Sequence, residues 1–359
     1  MKNQSTKKLV LAALFVWRML GSPEDGKTQI TLPNGELHVW FLDVGQADSS
    51  LLVCDGQAML IDGGNVDDAS YVVASLEQYG VTSLDYVINT HCDEDHVGGY
   101  VLAKFPAEHV WSSTAEYGTK AFSNFVKYAN EQGRAIEIPS PGDTFTLGEA
   151  EITVLGPLRD YENNNENSIV LRVDYGETSF LFTGDMGITA EDELVESGAR
   201  LDATVLKVGH HGSAGSTGYV FLREVMPDYA VISVGTDNSY GHPTEAALSR
   251  LRDADAQVFR TDLQGVIHAV SDGRNVTFET ERSATEAQLN PTIHDAAALH
   301  TERREIVRRL ARCVLDVLKR EPPLRSIQSH SCPSEKNAVR FDSVWDAMAQ
   351  GYRAHSCVD

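Results

Sequence analysis

The sequence predicts an α+β protein: two sheets packed face to face with helices outside, an αββα four-layer sandwich, followed by a helical C-terminal extension. Three observations predict it. Short apolar runs punctuated by Gly, Asp and Asn recur from Leu37 to Glu279, as strands of packed sheets do. Helical stretches separate the later runs, so the chain reads as sheets covered by helices. Strand-type sequence then stops, and residues 294–320 place Leu299, Ile306, Leu310, Cys313 and Val317 three, four or seven apart, the stripe of an amphipathic helix.

In chain order, strands are expected at 37–42, 50–53, 58–61, 86–88, 151–155, 168–173, 179–182, 203–208, 229–234, 257–260, 266–271 and 275–278. Helices are expected at 69–79, 120–131, 190–196, 220–226 and 244–254, the last opening with Pro243 in its first turn. The early strands follow one another closely, as hairpins do. Residues 282–293 are polar with Pro291 and read as a linker. The organisation is therefore a leader at 1–36, a main domain at 37–281, and a linker plus helical extension at 282–359 to which no role is assigned.

In the leader, Lys2, Lys7 and Lys8 precede a nine-residue apolar run, 9–17, that Arg18 interrupts. This is the opening of a secretory signal and is too short to span a bilayer. Export or membrane anchoring is expected if residues 1–20 act as a signal, and a cytoplasmic location otherwise. Membrane contact is expected only through this segment.

Charge sets a limit on partners. Asp and Glu outnumber Lys and Arg by 52 to 30. Residues 282–359 hold 12 basic and 10 acidic side chains, leaving 18 and 42 in residues 1–281, a net of −24. Such a body repels a polyanion unless metals or a local basic patch intervene, which disfavours tight duplex binding. The five cysteines form no CxxC pair, so neither a disulfide framework nor a zinc knuckle is indicated.

The chemistry concentrates in His91-Cys92-Asp93-Glu94-Asp95-His96, with Gly98 and Gly99 close behind and an apolar run at 86–88 ahead. Imidazoles and carboxylates crowded on one turn make a metal-binding loop. Cys92 would point to the opposite side. Further ligand types stand at strand ends: Asp185 after 179–182, His210 and His211 after 203–208, and His242 at a strand-to-helix turn. Each alone is an ordinary turn. Together they offer enough donors for two divalent ions.

His91-X-Asp93-X-Asp95-His96, Gly184-Asp185 and His210-His211-Gly212-Ser213 resemble the metallo-β-lactamase fold superfamily. Phe41-Leu42-Asp43-Val44-Gly45-Gln46-Ala47-Asp48-Ser49, Ile61-Asp62-Gly63-Gly64, Asn163-Asn164-Asn165 with Asn167-Ser168, and Tyr240-Gly241-His242-Pro243 resemble, more narrowly, the hydrolase domain of the ComEC competence proteins. The resemblance covers 37–279. It implies a sandwich of the metallo-β-lactamase type, with one ion held by His91 and Asp93, a second by Asp95 and His96, and Asp185 bridging. His211 then ligates the second ion and His210 faces substrate, although the sequence allows the reverse. Many superfamily members carry His at position 93 and a third His near the asparagine cluster. A carboxylate and an amide there make the first site harder, so manganese joins zinc as an expected metal.

The implied activity is metal-dependent hydrolysis by a two-metal-activated water, directed at phosphodiesters: a phosphodiesterase or nuclease acting on single-stranded DNA or a small phosphodiester. The alternatives are a lactone, thioester or β-lactam hydrolase with the same metals, or a non-catalytic metal-stabilised module in a surface or competence assembly. No protein partner can be read from the sequence. The 359 residues contain no long channel segments of the full ComEC kind, so DNA transport is not expected of this stretch itself.

Roles follow from side-chain chemistry. Asp95 both ligates and orients the nucleophile; His210 and His242 donate hydrogen bonds to a phosphoryl oxygen or protonate the leaving alkoxide. Asn167 and Ser213 position substrate or water, and Lys207 contacts phosphate or neutralises carboxylates. Asp43, Gln46, Asp48 and Asp62 brace the ligand loops from behind.

Overall fold

Runs such as LHVWF and SLLVC are apolar at nearly every position, not at every second one, and a strand of that kind must be covered on both faces. The computed structural model, which describes residues 32–292, meets that demand with two seven-stranded sheets. Numbered in chain order, the strands are β1 (Leu37–Phe41), β2 (Ser50–Cys54), β3 (Gln57–Ile61), β4 (Leu84–Asn89), β5 (Ala107–Ser112), β6 (Thr144–Leu147), β7 (Ala150–Gly156), β8 (Val170–Tyr175), β9 (Thr178–Phe182), β10 (Val205–Lys207), β11 (Tyr229–Ile232), β12 (Gln257–Arg260), β13 (Ile267–Ser271) and β14 (Val276–Thr280). The sheet orders are β14-β13-β1-β2-β3-β4-β5 and β12-β11-β10-β9-β8-β7-β6.

Between the sheets lies one apolar layer that includes Phe41, Leu52, Met59, Ile88, Leu171, Phe180, Phe182 and Val205. Each outer face packs under helices. α1 (Ala69–Gln78) and α3 (Lys120–Glu131) cover the first sheet through Val72, Leu76, Phe122 and Phe125. α4 (Ile188–Glu196), α5 (Tyr219–Val225) and α6 (Glu245–Asp253) cover the second through Leu194, Phe221, Leu222 and Leu251. A short helix, α2 (Glu94–Val97), sits at the sandwich end. The expected αββα layering is thus present.

The order of connections explains why the site lies at one end. β1, β2 and β3 pair antiparallel, and Asp55-Gly56, with φ of 49° and 82°, supply the left-handed pair that a two-residue hairpin needs. After β3 the first sheet turns parallel through β4 and β5, as the second does from β9 through β12. The loops after parallel strands all leave from the strands' C-terminal ends, where α/β proteins build their sites.

Two strands, β5 and β6, were absent from the expected series. Both are sheet edges, and edge strands carry polar side chains that break the apolar pattern, here Glu108, His109, Thr144 and Thr146. α6 also begins later than expected: Thr244 caps it, its Oγ1 accepting from the Ala247 amide at 3.3 Å, so Pro243 lies before the helix.

The residues expected to form a linker make contacts with the sandwich. Arg282 Nη2 donates to Asp43 Oδ2 at 3.1 Å and Arg252 Nη1 donates to Asn290 Oδ1 at 2.8 Å. The leader through residue 31 and the expected helix 294–320 lie outside the described residues. Among the described residues no helix is long and apolar enough to cross a membrane.

Candidate metal centre

The first ligand loop leaves β4 and is compressed against its neighbours by glycine. Gly98 has φ 30°, and a Cβ on it would lie 2.2 Å from Gly63 Cα; one on Gly99 would lie 2.7 Å from the Phe125 Cα of α3. No side chain fits at either place, which is why the metal-loop sequence ends in two glycines. Asp93 stands at the N-terminal end of α2 without a side-chain cap bond, and Asp95 and His96 project from that helix. Asp185 follows β9. His210 and His211 follow β10 on a tight turn, both left-handed at φ 49° and 54°. Two successive non-glycine residues in that region store strain of about 1–3 kcal/mol each, and such strain clusters at functional sites.

These loops converge. Single donor atoms of Asp95, His96, Asp185 and His211 all lie within 4.8 Å of one another. His96 Nε2 stands 3.3 Å from Asp185 Oδ1, and His211 Nε2 stands 3.3 Å from Asp95 Oδ2 and 3.7 Å from Asp185 Oδ2. Beside this cluster, His91 Nε2 faces Asp93 Oδ2 at 3.5 Å, and the His91 and His96 ring centres are 4.1 Å apart. His210 Nε2 approaches Asp185 Oδ2 at 3.5 Å from the mouth of the site.

Each buried ring is aimed by a partner behind it. Asp62 Oδ2 takes His96 Nδ1 at 2.8 Å while its carboxylate also accepts the Thr90 amide and hydroxyl. His211 Nδ1 donates to the Ser233 carbonyl at 3.0 Å. With Nδ1 committed in both, Nε2 is left facing the cluster. His91 Nε2, His96 Nε2 and Asp185 Oδ1 are buried without any hydrogen-bond partner. Orphaned atoms of this kind are costly unless something occupies the space they share. Two imidazoles and two carboxylates around one point fit a divalent cation of the zinc or manganese kind.

Protonation describes the same fit. Burial opposes charge on Asp185, yet His211 and His96 outweigh it and hold the carboxyl well below its usual range. Burial would lower His211, but Asp185 and Asp48 reverse that and push it up to about 10. His96 is raised well above its usual value against burial, by Asp185 and Asp62. In the metal-free protein at neutral pH these imidazoles therefore carry protons that a cation must displace. Metal affinity should consequently strengthen as pH rises from 6 to 8, with proton release on binding; calorimetry in two buffers of different ionisation enthalpy measures both. Affinity independent of pH would contradict this protonation pattern.

The remaining expected residues fall into place or out of it. Gln46 Oε1 accepts the Gly235 amide at 3.1 Å, which turns its NH2 toward His242 Nδ1 at 3.4 Å. That makes Nδ1 an acceptor and leaves the ring proton on Nε2. Burial first, then His210 and His211, lowers His242, so at neutral pH it offers a neutral N–H and not the imidazolium expected of a proton donor. Asp48 lies behind His211 Nδ1 at 3.5 Å and accepts Lys207 Nζ at 2.7 Å. Of the two readings of Lys207, phosphate contact or charge neutralisation, its burial and that ion pair leave only the second.

Two expectations, for Asp43 and Asn167, need correction. Asp43 braces no ligand; its carboxylate is taken by Arg282. Asn167 closes its own loop, accepting from the Tyr161 amide at 2.8 Å and donating to the Tyr161 carbonyl at 2.9 Å. Ser213 Oγ accepts from the Gly215 amide at 3.2 Å within its turn, which leaves its own O–H a donor and its expected role untouched. The asparagine cluster acts instead through its neighbours: Asn164 Nδ2 donates to Asp93 Oδ1 at 2.7 Å, Asn165 lies 3.4 Å from His210 Nδ1, and Ser168 Oγ meets both His91 Nδ1 and the Asp185 amide. The repeated Asn was the signal in the sequence; which Asn faced the ligands depended on a helical turn at Asn165–Asn167. Cys92 is buried in the outer core, away from the cluster, as expected.

A His/Asp cluster fit for metal ions, at the end of an αββα sandwich, defines a class of metal-binding hydrolase folds. A model of the metallo-beta-lactamase superfamily matches residues 42–236, and the chain belongs to that superfamily. It is 30% identical over 266 residues to ComE operon protein 3 of Bacillus subtilis, covering 68% of this chain and 34% of that protein. It is 34% identical over 239 residues to competence protein ComA of Neisseria gonorrhoeae, covering 66% and 32%. The chain thus spans about a third of the length of these curated relatives. Similar solved structures include the metallo-beta-lactamase fold protein YhfI from Bacillus subtilis, with TM-score 0.42 and 12% identity over 68% of this chain and 100% of that one. CmlA, a diiron beta-hydroxylase from Streptomyces venezuelae, has TM-score 0.43 and 14% identity over 66% and 54%.

Proposed function

We propose that the chain is a metal-dependent phosphodiesterase, a nuclease or a hydrolase of small phosphodiesters. The observation that carries the metal dependence is the set of buried, partnerless donor atoms of His91, His96 and Asp185 facing one another. The similarity to competence proteins supports a phosphodiester over a lactam or lactone. Asp95, His96, Asp185 and His211 would hold one divalent ion, zinc or manganese, and His91, Asp93 and Asp185 would contribute to holding a second. A divalent ion so held supplies Lewis acidity, which lowers the pKa of water and offsets negative charge on a phosphoryl oxygen.

The chain supplies the rest. The Asp95 side chain is 31% exposed and faces the mouth, where its carboxylate accepts a proton from attacking water. His210 flanks Asp185 from the open side and donates to a phosphoryl oxygen. His242, its ring centre 5.7 Å from that of His210, presents Nε2–H to the same oxygen. His242→Ala should therefore lower kcat about 10- to 100-fold with KM little changed, because the bond is made to developing charge. A KM effect alone would assign His242 to binding instead.

The reading is tested by turnover of bis-p-nitrophenyl phosphate, a lactone and a chromogenic cephalosporin with added manganese or zinc, alongside metal content by emission spectroscopy. Cleavage of the phosphodiester is expected. Cleavage of only the lactone or cephalosporin would move the activity to that branch, and a protein that retains no metal would make it a scaffold.

A further inference from the structure

Among the described residues of this acidic body the exposed lysines share one face. The described residues hold four lysines; Lys207 is buried with Asp48, and the other three, Lys104, Lys120 and Lys127, are exposed. Lys120 and Lys127 stand on the same side of α3 as Asn124 and Tyr128, at helical spacing. Lys104 Nζ lies 5.4 Å from the centre of the Tyr100 ring and Lys127 Nζ 5.1 Å from that of Tyr128. The two rings meet edge to face at 6.3 Å. Lys127 also reaches Glu131 at 3.7 Å, a pair between exposed groups and therefore weak.

Between α1, α3 and the metal loop runs a groove of about 220 Å³ lined by Gly98, Gly99, Tyr100, Asn124 and Tyr128 among others. It starts where the ligand loop ends, two residues after His96. The groove is therefore continuous in sequence with the C-terminal side of the first ligand loop. Aromatic rings beside ammonium groups, on a body otherwise repulsive to anions, match a strand whose bases are free to stack and whose phosphates need few cations. A duplex hides its bases and demands more positive charge than three lysines offer.

We propose that this face is a binding track for single-stranded nucleic acid, with bases on Tyr100 and Tyr128 and phosphates against Lys104, Lys120 and Lys127, leading to the metal centre. The proposal deepens the phosphodiesterase reading and names its substrate as single-stranded.

The test is fluorescence anisotropy of a labelled oligothymidylate of about 12 nucleotides with the full chain in EDTA, so that binding is read without cleavage. The logarithm of affinity should fall with that of salt at a slope of about −2, as three lysine contacts to a single strand require. Joint Lys104→Ala, Lys120→Ala and Lys127→Ala should weaken binding at least about tenfold at low salt and flatten the slope. Joint Tyr100→Leu and Tyr128→Leu should weaken it about 5- to 100-fold and leave the slope alone. Unchanged affinity in the lysine variant overturns the track, as does a duplex bound as tightly as the single strand, or capture by phosphatidylserine vesicles without oligonucleotide binding. If the lysine variant binds normally while bis-p-nitrophenyl phosphate is cleaved, the track fails and the phosphodiesterase stands. If the track binds but no phosphodiester is cleaved, the activity reading fails instead.

Discussion

Asp185→Asn will leave a folded protein that has lost at least about 10³-fold in kcat/KM on a phosphodiester and most of its metal. Among the described residues Asp185 is the one carboxylate in contact with three imidazoles, at 3.3 Å from His96, 3.5 Å from His210 and 3.7 Å from His211. The amide keeps the shape and leaves the backbone hydrogen bond to Ser168 Oγ in place, so circular dichroism should be unchanged. What disappears is the charge that holds His96 and His211 in register and bridges the two halves of the ligand set. Emission spectroscopy and initial rates measure the two losses; near-normal turnover with metal retained would remove Asp185 from the centre.

The second large effect is on stability. Lys207→Met should cost about 3–5 kcal/mol in denaturant unfolding, because it strands the Asp48 carboxylate in the interior. Lys207 Nζ donates to Asp48 Oδ2 at 2.7 Å and to the Val208 carbonyl at 3.1 Å, and both side chains are almost wholly buried. His211 also stands behind Asp48, so Asp48 stays ionised only while its cationic neighbours do. Adding Asp48→Asn to Lys207→Met should restore much of the loss, since no charge then remains unpaired. A cost below about 1 kcal/mol for the single change would mean that water reaches the pair.

The sandwich was legible because its strands are buried on both faces and so apolar throughout; β5 and β6 were not, because an edge strand has one open side and a polar sequence. The ligand set was legible because imidazoles and carboxylates stand directly after strands, as Asp185 and His211 do. What the sequence withheld was orientation. Lys207 reads equally as a phosphate contact or a buried counter-ion, and only its distance to Asp48 separates the two. Asn164, Asn165 and Asn167 are alike in composition, and one helical turn decides that the first two face the ligands while the third ties its own loop. Asp43 carried the expected chemistry but was captured by Arg282, a residue 239 positions away, beyond any local pattern.

The ligand loops issue from opposite halves of the molecule: His91 and His96 stand after β4 of one sheet, Asp185 and His211 after β9 and β10 of the other. Phe41 and Phe182, whose ring centres are 6.0 Å apart, join those same halves three residues before Asp185. A cation there would rivet the two layers, so melting temperature becomes a gauge of occupancy, and loosening the aromatic seam should loosen the grip on the ion without touching a single ligand.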